Sequence, residues 1–193
     1  MNSVLINNLY LVWFSPDEFS LFYEEYRSRI REMLVSMLAA FSLAVAGMYI
    51  RRDYGPNSAL IVLGEFLSHL FFLSIFPEIL SYLADYQARK NQKTGDLNIL
   101  ISYSRYSISI FGLAAPFSIL MSLVKLQGST GYFVILFVLC FCFILNVIRG
   151  GCEIYKVDKS QMFRLMFSSF FFALIVPPAL CLYYLFSIVF VIF

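Results

Sequence analysis

Charge is what this chain has least of. Only 13% of its 193 residues are Asp, Glu, Lys or Arg, while 61% are hydrophobic; average soluble usage is about 25% charged. A water-soluble domain of this length has too little interior to hide so much apolar surface, so the solvent is lipid. Cysteine is scarce and unpatterned. Cys140 and Cys142 stand two apart in an apolar run and face different sides of a helix, Cys152 lies in a connector, and Cys181 lies in the last apolar run. Neither a disulfide framework nor a zinc spacing results. No basic residue precedes the apolar stretch 4–14, the first cation being Arg27, and this does not fit a cleaved secretory signal. A formal net charge of +2 gives no reason to expect a nucleic-acid partner.

What is present is five runs with little or no charge, at about 33–50, 59–84, 107–124, 132–148 and 165–193. Each is close to the roughly 20 residues that cross a hydrocarbon core about 30 Å thick. The expected fold is all-α: a polytopic bundle of five transmembrane helices over 33–193, behind a leader, 1–32, that holds an amphipathic interfacial helix. Eleven of the fourteen basic residues collect on one side, namely Arg27, Arg29 and Arg31, then Arg89, Lys90, Lys93 and Arg105, then Arg149, Lys156, Lys159 and Arg164. Arg51, Arg52 and Lys125 fall on the other. Such asymmetry over short loops places the amino terminus in the cytoplasm and the carboxyl terminus across the membrane.

The leader helix has a legible start. Ser15 caps it, Pro16 takes the first helical position, and Glu18 completes a capping box. Phe19, Phe22, Tyr23, Tyr26, Ile30 and Met33 recur at three- and four-residue spacing, with Glu24, Glu25, Arg27, Ser28, Arg31 and Glu32 opposite. This predicts a helix on the membrane surface, with Trp13 and the tyrosines at headgroup level, serving as an anchor or as a docking helix. In the first span Ser36, Ala40 and Ala44 repeat every four residues. That pattern allows close helix approach, within the bundle or between copies.

The second span carries Glu65, His69 and Glu78. A charge at the bilayer centre costs about 2.5–3.5 kcal/mol on insertion scales, so each needs a partner. Glu65 and His69 share a face and are placed to hydrogen-bond, either as part of a proton or cation pathway or as a pin for helix packing. Two ligands are too few for a metal site. Glu78 points elsewhere, follows Pro77, and has Arg105 or Arg149 as a charge partner near the cytoplasmic end. Pro116 breaks the third span after the small residues Gly112, Ala114 and Ala115, and Pro177 and Pro178 break the fifth; either a hinge or a kinked packing core uses such breaks. Gly150 and Gly151 read as the stop of the fourth helix, and Asp158 with Gln161 as the start of the next.

The order Ser15-Pro16-Asp17-Glu18-Phe19, the segment Ser102-Tyr103-Ser104-Arg105-Tyr106-Ser107 leading to Pro116-Phe117-Ser118, and the connector from Arg149 to Lys159 resemble the Yip family of Ypt-interacting membrane proteins. The resemblance spans about residues 15–185 and implies a five-span bundle with a cytoplasmic amino terminus. With about 32 residues ahead of its first span the chain is similar to bacterial members, which implies a bacterial inner membrane. Asp53-Tyr54-Gly55-Pro56 is similar to a signature of the eukaryotic branch, but it falls on the outer side here, so GTPase binding does not transfer to it.

Two function classes follow. A non-enzymatic organiser of membrane proteins or lipids, with the bilayer and other membrane proteins or further copies as partners, needs small-residue faces and kinked spans. A small transporter or channel subunit for protons, metal ions or a small solute needs Glu65, His69 and Glu78 to meet water. An enzyme is not expected, since no nucleophile motif surrounds His69 and no glycine-rich phosphate loop implies a cofactor.

Overall fold

Long apolar runs interrupted by proline, glycine and capping residues fold as helices, since in lipid each backbone group must be satisfied within its own segment. A computed structural model describes residues 2–26, 28–51, 58–123, 129–169 and 171. In chain order its elements are α1 (Asn2–Phe14), α2 (Pro16–Tyr26), α3 (Arg29–Arg51), α4 (Ser58–Lys90), α5 (Leu97–Ser107), a 3₁₀ segment (Ile108–Leu113), α6 (Ala114–Leu123) and α7 (Ser129–Tyr155). A further helix, α8, covers 159–169.

Four stretches are long and apolar enough to cross a membrane: Arg29–Tyr49, Ala59–Lys90, Leu97–Leu123 and Thr130–Tyr155. The chain is therefore an all-helical protein of multi-pass membrane type. The run expected to be the fifth span lies almost wholly outside the described residues, as do Pro177, Pro178, Cys181 and the outer turn at 52–57. The second, third and fourth stretches reach further than charge alone marks, because α4 extends to Lys90, the third begins at Leu97 and α7 continues to Tyr155. At 1.5 Å per residue, α4 with its 33 residues is about 50 Å long and exceeds the hydrocarbon core.

α3 is the inner helix. Of its most apolar stretch 56% is buried within the chain, against 11% for α4, whose first half offers Leu60, Leu63, Leu67 and Phe71 to lipid. Ser36, Ala40 and Ala44 are among the buried positions of α3. The small-residue face is thus occupied inside the single chain.

The leader departs from the expected amphipathic helix. It forms two helices before α3, with Ser15 between α1 and α2, and the proposed stripe does not act as one face. Phe19 and Tyr23 are buried, whereas Phe22, Ile30 and Met33 are exposed. Phe19 packs edge-on against Tyr103 and Tyr106 at ring separations of 5.3 and 6.0 Å, so protein rather than lipid takes that side of α2.

Gly150 and Gly151 do not stop a helix. They lie inside α7, where a Cβ on Gly150 would stand 2.3 Å from the Tyr103 ring and one on Gly151 2.2 Å from Met162 Cε. The absent side chains let α5 and α8 approach. α7 ends five residues later, in a left-handed turn at Lys156 (φ 50°), and α4 ends in the same way at Gln92 (φ 58°). In both, the next N–H returns across six residues, from Val157 to the Cys152 carbonyl (3.2 Å) and from Lys93 to that of Ala88 (2.9 Å), the Schellman pattern in which glycine is usual. Asp96 then caps α5, accepting from the N–H groups of Asn98 and Ile99. The Asp158 Oδ1 accepts from the Gln161 N–H at 2.8 Å at the start of α8.

Pro116 has no N–H for the Gly112 carbonyl four residues earlier. Ser42 of α3 supplies the missing donor: its Oγ donates to the Gly112 carbonyl at 2.8 Å and accepts from the Ala115 N–H at 2.9 Å. One hydroxyl thus repairs the broken ladder from outside. Ser42→Ala should lower stability by about 1–3 kcal/mol, since it strands the half-buried Gly112 carbonyl. The loss should shrink when Pro116→Ala restores the local N–H, as thermal unfolding in detergent of both single variants and the double variant will read. Lys156→Gly should raise stability by roughly 0.5–1 kcal/mol in the same assay, because glycine adopts positive φ without steric cost.

Candidate functional site

Residues 102–107 of α5 gather the polar chemistry of the molecule. At 100° per residue, six consecutive side chains point in all directions, so all of them meet protein only if α5 is surrounded. It is: Ser102, Tyr103, Ser104, Tyr106 and Ser107 are buried, with α1, α3, α4 and α7 packed around them.

Arg105 carries the charge of this hub. One guanidinium N–H group, on Nη1, donates to Glu32 Oε2 of α3 at 2.5 Å, and the other, on Nη2, donates to Glu78 Oε1 of α4. Ser102 Oγ donates to the remaining Glu32 oxygen at 2.5 Å. Glu32 is buried, in the first turn of α3, where the positive end of the helix dipole adds to its stabilisation. Two carboxylates on one guanidinium join three helices by charge-assisted hydrogen bonds.

The other residues of the hub tie down α1 and α7. The Tyr103 hydroxyl donates to the Val12 carbonyl at 2.7 Å, and the Tyr106 hydroxyl accepts from Asn8 Nδ2 at 2.9 Å. Ser107 accepts from Asn146 Nδ2 of α7 at 2.9 Å, Ser104 accepts from Ser81 of α4 at 3.1 Å, and the Trp13 indole donates to Ser109 at 2.9 Å. Arg149 donates to the carbonyls of Trp13 and Phe14 at 2.9 and 3.0 Å. The last carbonyls of α1 are thereby filled by side chains from α5 and α7, where a cation is also favoured by the dipole.

Of the residues singled out from sequence, Glu78 and Arg105 come together. Arg149, the other candidate partner, serves α1 instead. His69 does not reach the Glu65 carboxylate as expected; its Nδ1 lies 2.6 Å from the Glu65 backbone carbonyl and its Nε2 lies 3.3 Å from the Tyr132 hydroxyl. A ring nitrogen one helical turn on from a carbonyl meets it more readily than a carboxylate that projects sideways. Glu65 and His69 stand about 20 and 14 Å along α4 from Glu78 by helical rise, so the second span holds two separate polar sites. Gly112 and Ala115 meet at Ser42 as described, and Pro77 lies buried within α4.

Glu32 and Asn8 are members of this hub that the sequence does not single out. Glu32 sits among charges that read as a solvated face, and only the break between α2 and α3 turns it inward. A second cluster lies at the charged end of the bundle, where buried Asp85 accepts from the Tyr155 hydroxyl (2.7 Å) and from Arg89 Nε (2.6 Å). The Tyr155 ring there covers Gly95.

Comparison with protein-family models, with curated proteins and with solved structures finds no match to this chain. Arg105→Gln leaves Glu32 buried without its countercharge and should cost about 3–5 kcal/mol. Adding Glu32→Gln should recover part of that loss, as melting curves of the two variants will show.

Proposed function

We propose that this chain is a non-enzymatic integral membrane protein of Yip-like kind that organises other membrane proteins or lipids. In this reading it sits in a bacterial inner membrane with its amino terminus in the cytoplasm. The observation that carries the reading is the hub on α5, in which Arg105 holds Glu32 and Glu78 while its neighbours bind α1, α4 and α7. Groups engaged in this way fix the relative positions of helices, as a scaffold requires. Outside the hub the helices offer long apolar rows, among them Phe133, Phe137, Phe141 and Leu145 at four-residue spacing on α7. Such rows supply the van der Waals surface on which membrane helices associate.

A transporter reading draws on a different observation, the contact of His69 with Tyr132 on the neighbouring α7. Proton or cation passage would use Glu65 and His69, with Glu78 freed from Arg105. The organiser reading is favoured because Glu78 and the His69 Nδ1 are both held in fixed contacts.

Purification from the native membrane in mild detergent, followed by mass spectrometry, tests the choice. A reproducible stoichiometric partner or lipid supports the organiser. A homogeneous protein whose solute flux in vesicles disappears in Glu65→Gln and His69→Ala, with folding intact, overturns it.

A further inference from the structure

Two cavities flank the Glu32–Arg105 pair and share Arg29, Glu32 and Arg105 as walls. The first, about 110 Å³, lies among α2, α3, α4 and α5 and is also lined by Glu78, Tyr82 and Asn98. Four polar groups there have no hydrogen-bond partner among the described residues: the Arg29 guanidinium, Glu78 Oε2, the Tyr82 hydroxyl and the Asn98 side-chain amide. Glu32 by contrast is saturated by Ser102 and Arg105. What remains open in the cavity is therefore one cation, one carboxylate oxygen and neutral acceptors beside it.

That set complements a ligand that itself carries both signs. We propose that the cavity is a headgroup site for a zwitterionic phospholipid with a primary ammonium, taking the phosphate on Arg29 and the ammonium on Glu78 and Asn98. Guanidinium suits phosphate by its fixed fork of donors. A primary ammonium brings three N–H donors that Glu78 Oε2, the Asn98 carbonyl and the Tyr82 hydroxyl accept, whereas a quaternary ammonium has none to give. An anionic headgroup without an amine would leave the carboxylate unmatched.

A phospholipid, rather than a soluble zwitterion, follows from the second cavity. It measures about 240 Å³ and continues from the shared wall along α3 and α4, past Met33, Ser36 and Ser74. Met33 is exposed on that flank. The glycerol and acyl chains have a way out of the headgroup site along this cavity to the exposed flank at Met33. The proposal rests on the lipid side of the function given above.

The full chain in mild detergent is titrated with phosphatidylethanolamine, phosphatidylcholine and phosphatidylglycerol of matched acyl chains, and bound lipid is counted by native mass spectrometry. The ethanolamine lipid should be retained about tenfold more strongly than either other lipid, the size expected for one charge-assisted hydrogen bond. Arg29→Gln should weaken all three, and Asn98→Ala should narrow the preference over the choline lipid. Both variants leave the Glu32–Arg105–Glu78 contacts in place, so each should fold. Equal retention of the three lipids, or retention unmoved by Arg29→Gln, overturns the site. Displacement by soluble glycerophosphoethanolamine as effective as by the lipid overturns the assignment to a membrane source. A chain that keeps a protein partner yet shows no lipid preference sinks this site alone and leaves the organiser reading standing.

Discussion

A guanidinium withdrawn from water cannot be left alone, and the placement of Arg105 follows from that constraint. Arginine stays charged at any accessible pH, so its burial among apolar helices requires carboxylates rather than a shift in protonation. Glu32 and Glu78 come from helices on either side, and both must be in place for the charge to be tolerated. In lipid, apolar contact alone discriminates little between one helix pairing and another, because acyl chains are as apolar as leucine. A charged contact shared by α3, α4 and α5 has far fewer equivalent alternatives. The neutral partners along α5 add direction to this, since serine, tyrosine and asparagine accept only particular neighbours.

Close approach supplies what hydrogen bonds do not. Gly150 and Gly151 on α7 give room to Tyr103 and Met162, and Gly95 gives room to Tyr155. Tyr103 thereby does two things at once, filling the notch over Gly150 with its ring and reaching the end of α1 with its hydroxyl. Ser42 repeats the economy at the third crossing, where a single hydroxyl answers both the missing donor and the stranded acceptor around Pro116. The 3₁₀ segment ahead of Pro116 marks the place where the helix departs from regular geometry.

Much of this architecture is written in charge and in helix punctuation. The apolar runs locate α3, α4, the third crossing and α7 to within a few residues at most of their ends, and Asp96 and Asp158 stand where helices begin. The spacing of Glu78 from Glu65 already separates the two polar sites of α4. What escapes is tertiary. The glycines at 150 and 151 look like a helix stop because glycine ends helices as often as it admits a neighbour, and only the ring of Tyr103, 47 residues away in sequence, distinguishes the two. Glu32 looks solvated because its neighbours are charged; the interruption after α2 resets the helical phase, and no periodicity spans that interruption. Asn8 belongs to an uncharged helix that offers no contrast between faces, so the face that meets Tyr106 is set by the partner and not by pattern.

The first helix has one further consequence. The carbonyls of Trp13 and Phe14 take their donors from Arg149, 136 and 135 residues later in the chain, and the side chains of Asn8 and Trp13 donate to Tyr106 and Ser109 of the third crossing. During synthesis from the amino end, α1 is therefore made long before anything exists to receive it. Its open carbonyls must face water or headgroups until α5 has entered the membrane and α7 has emerged. This early segment is among the last to be secured, and a ribosome stalled before residue 149 would hold a chain in which α1 is still waiting for its seat.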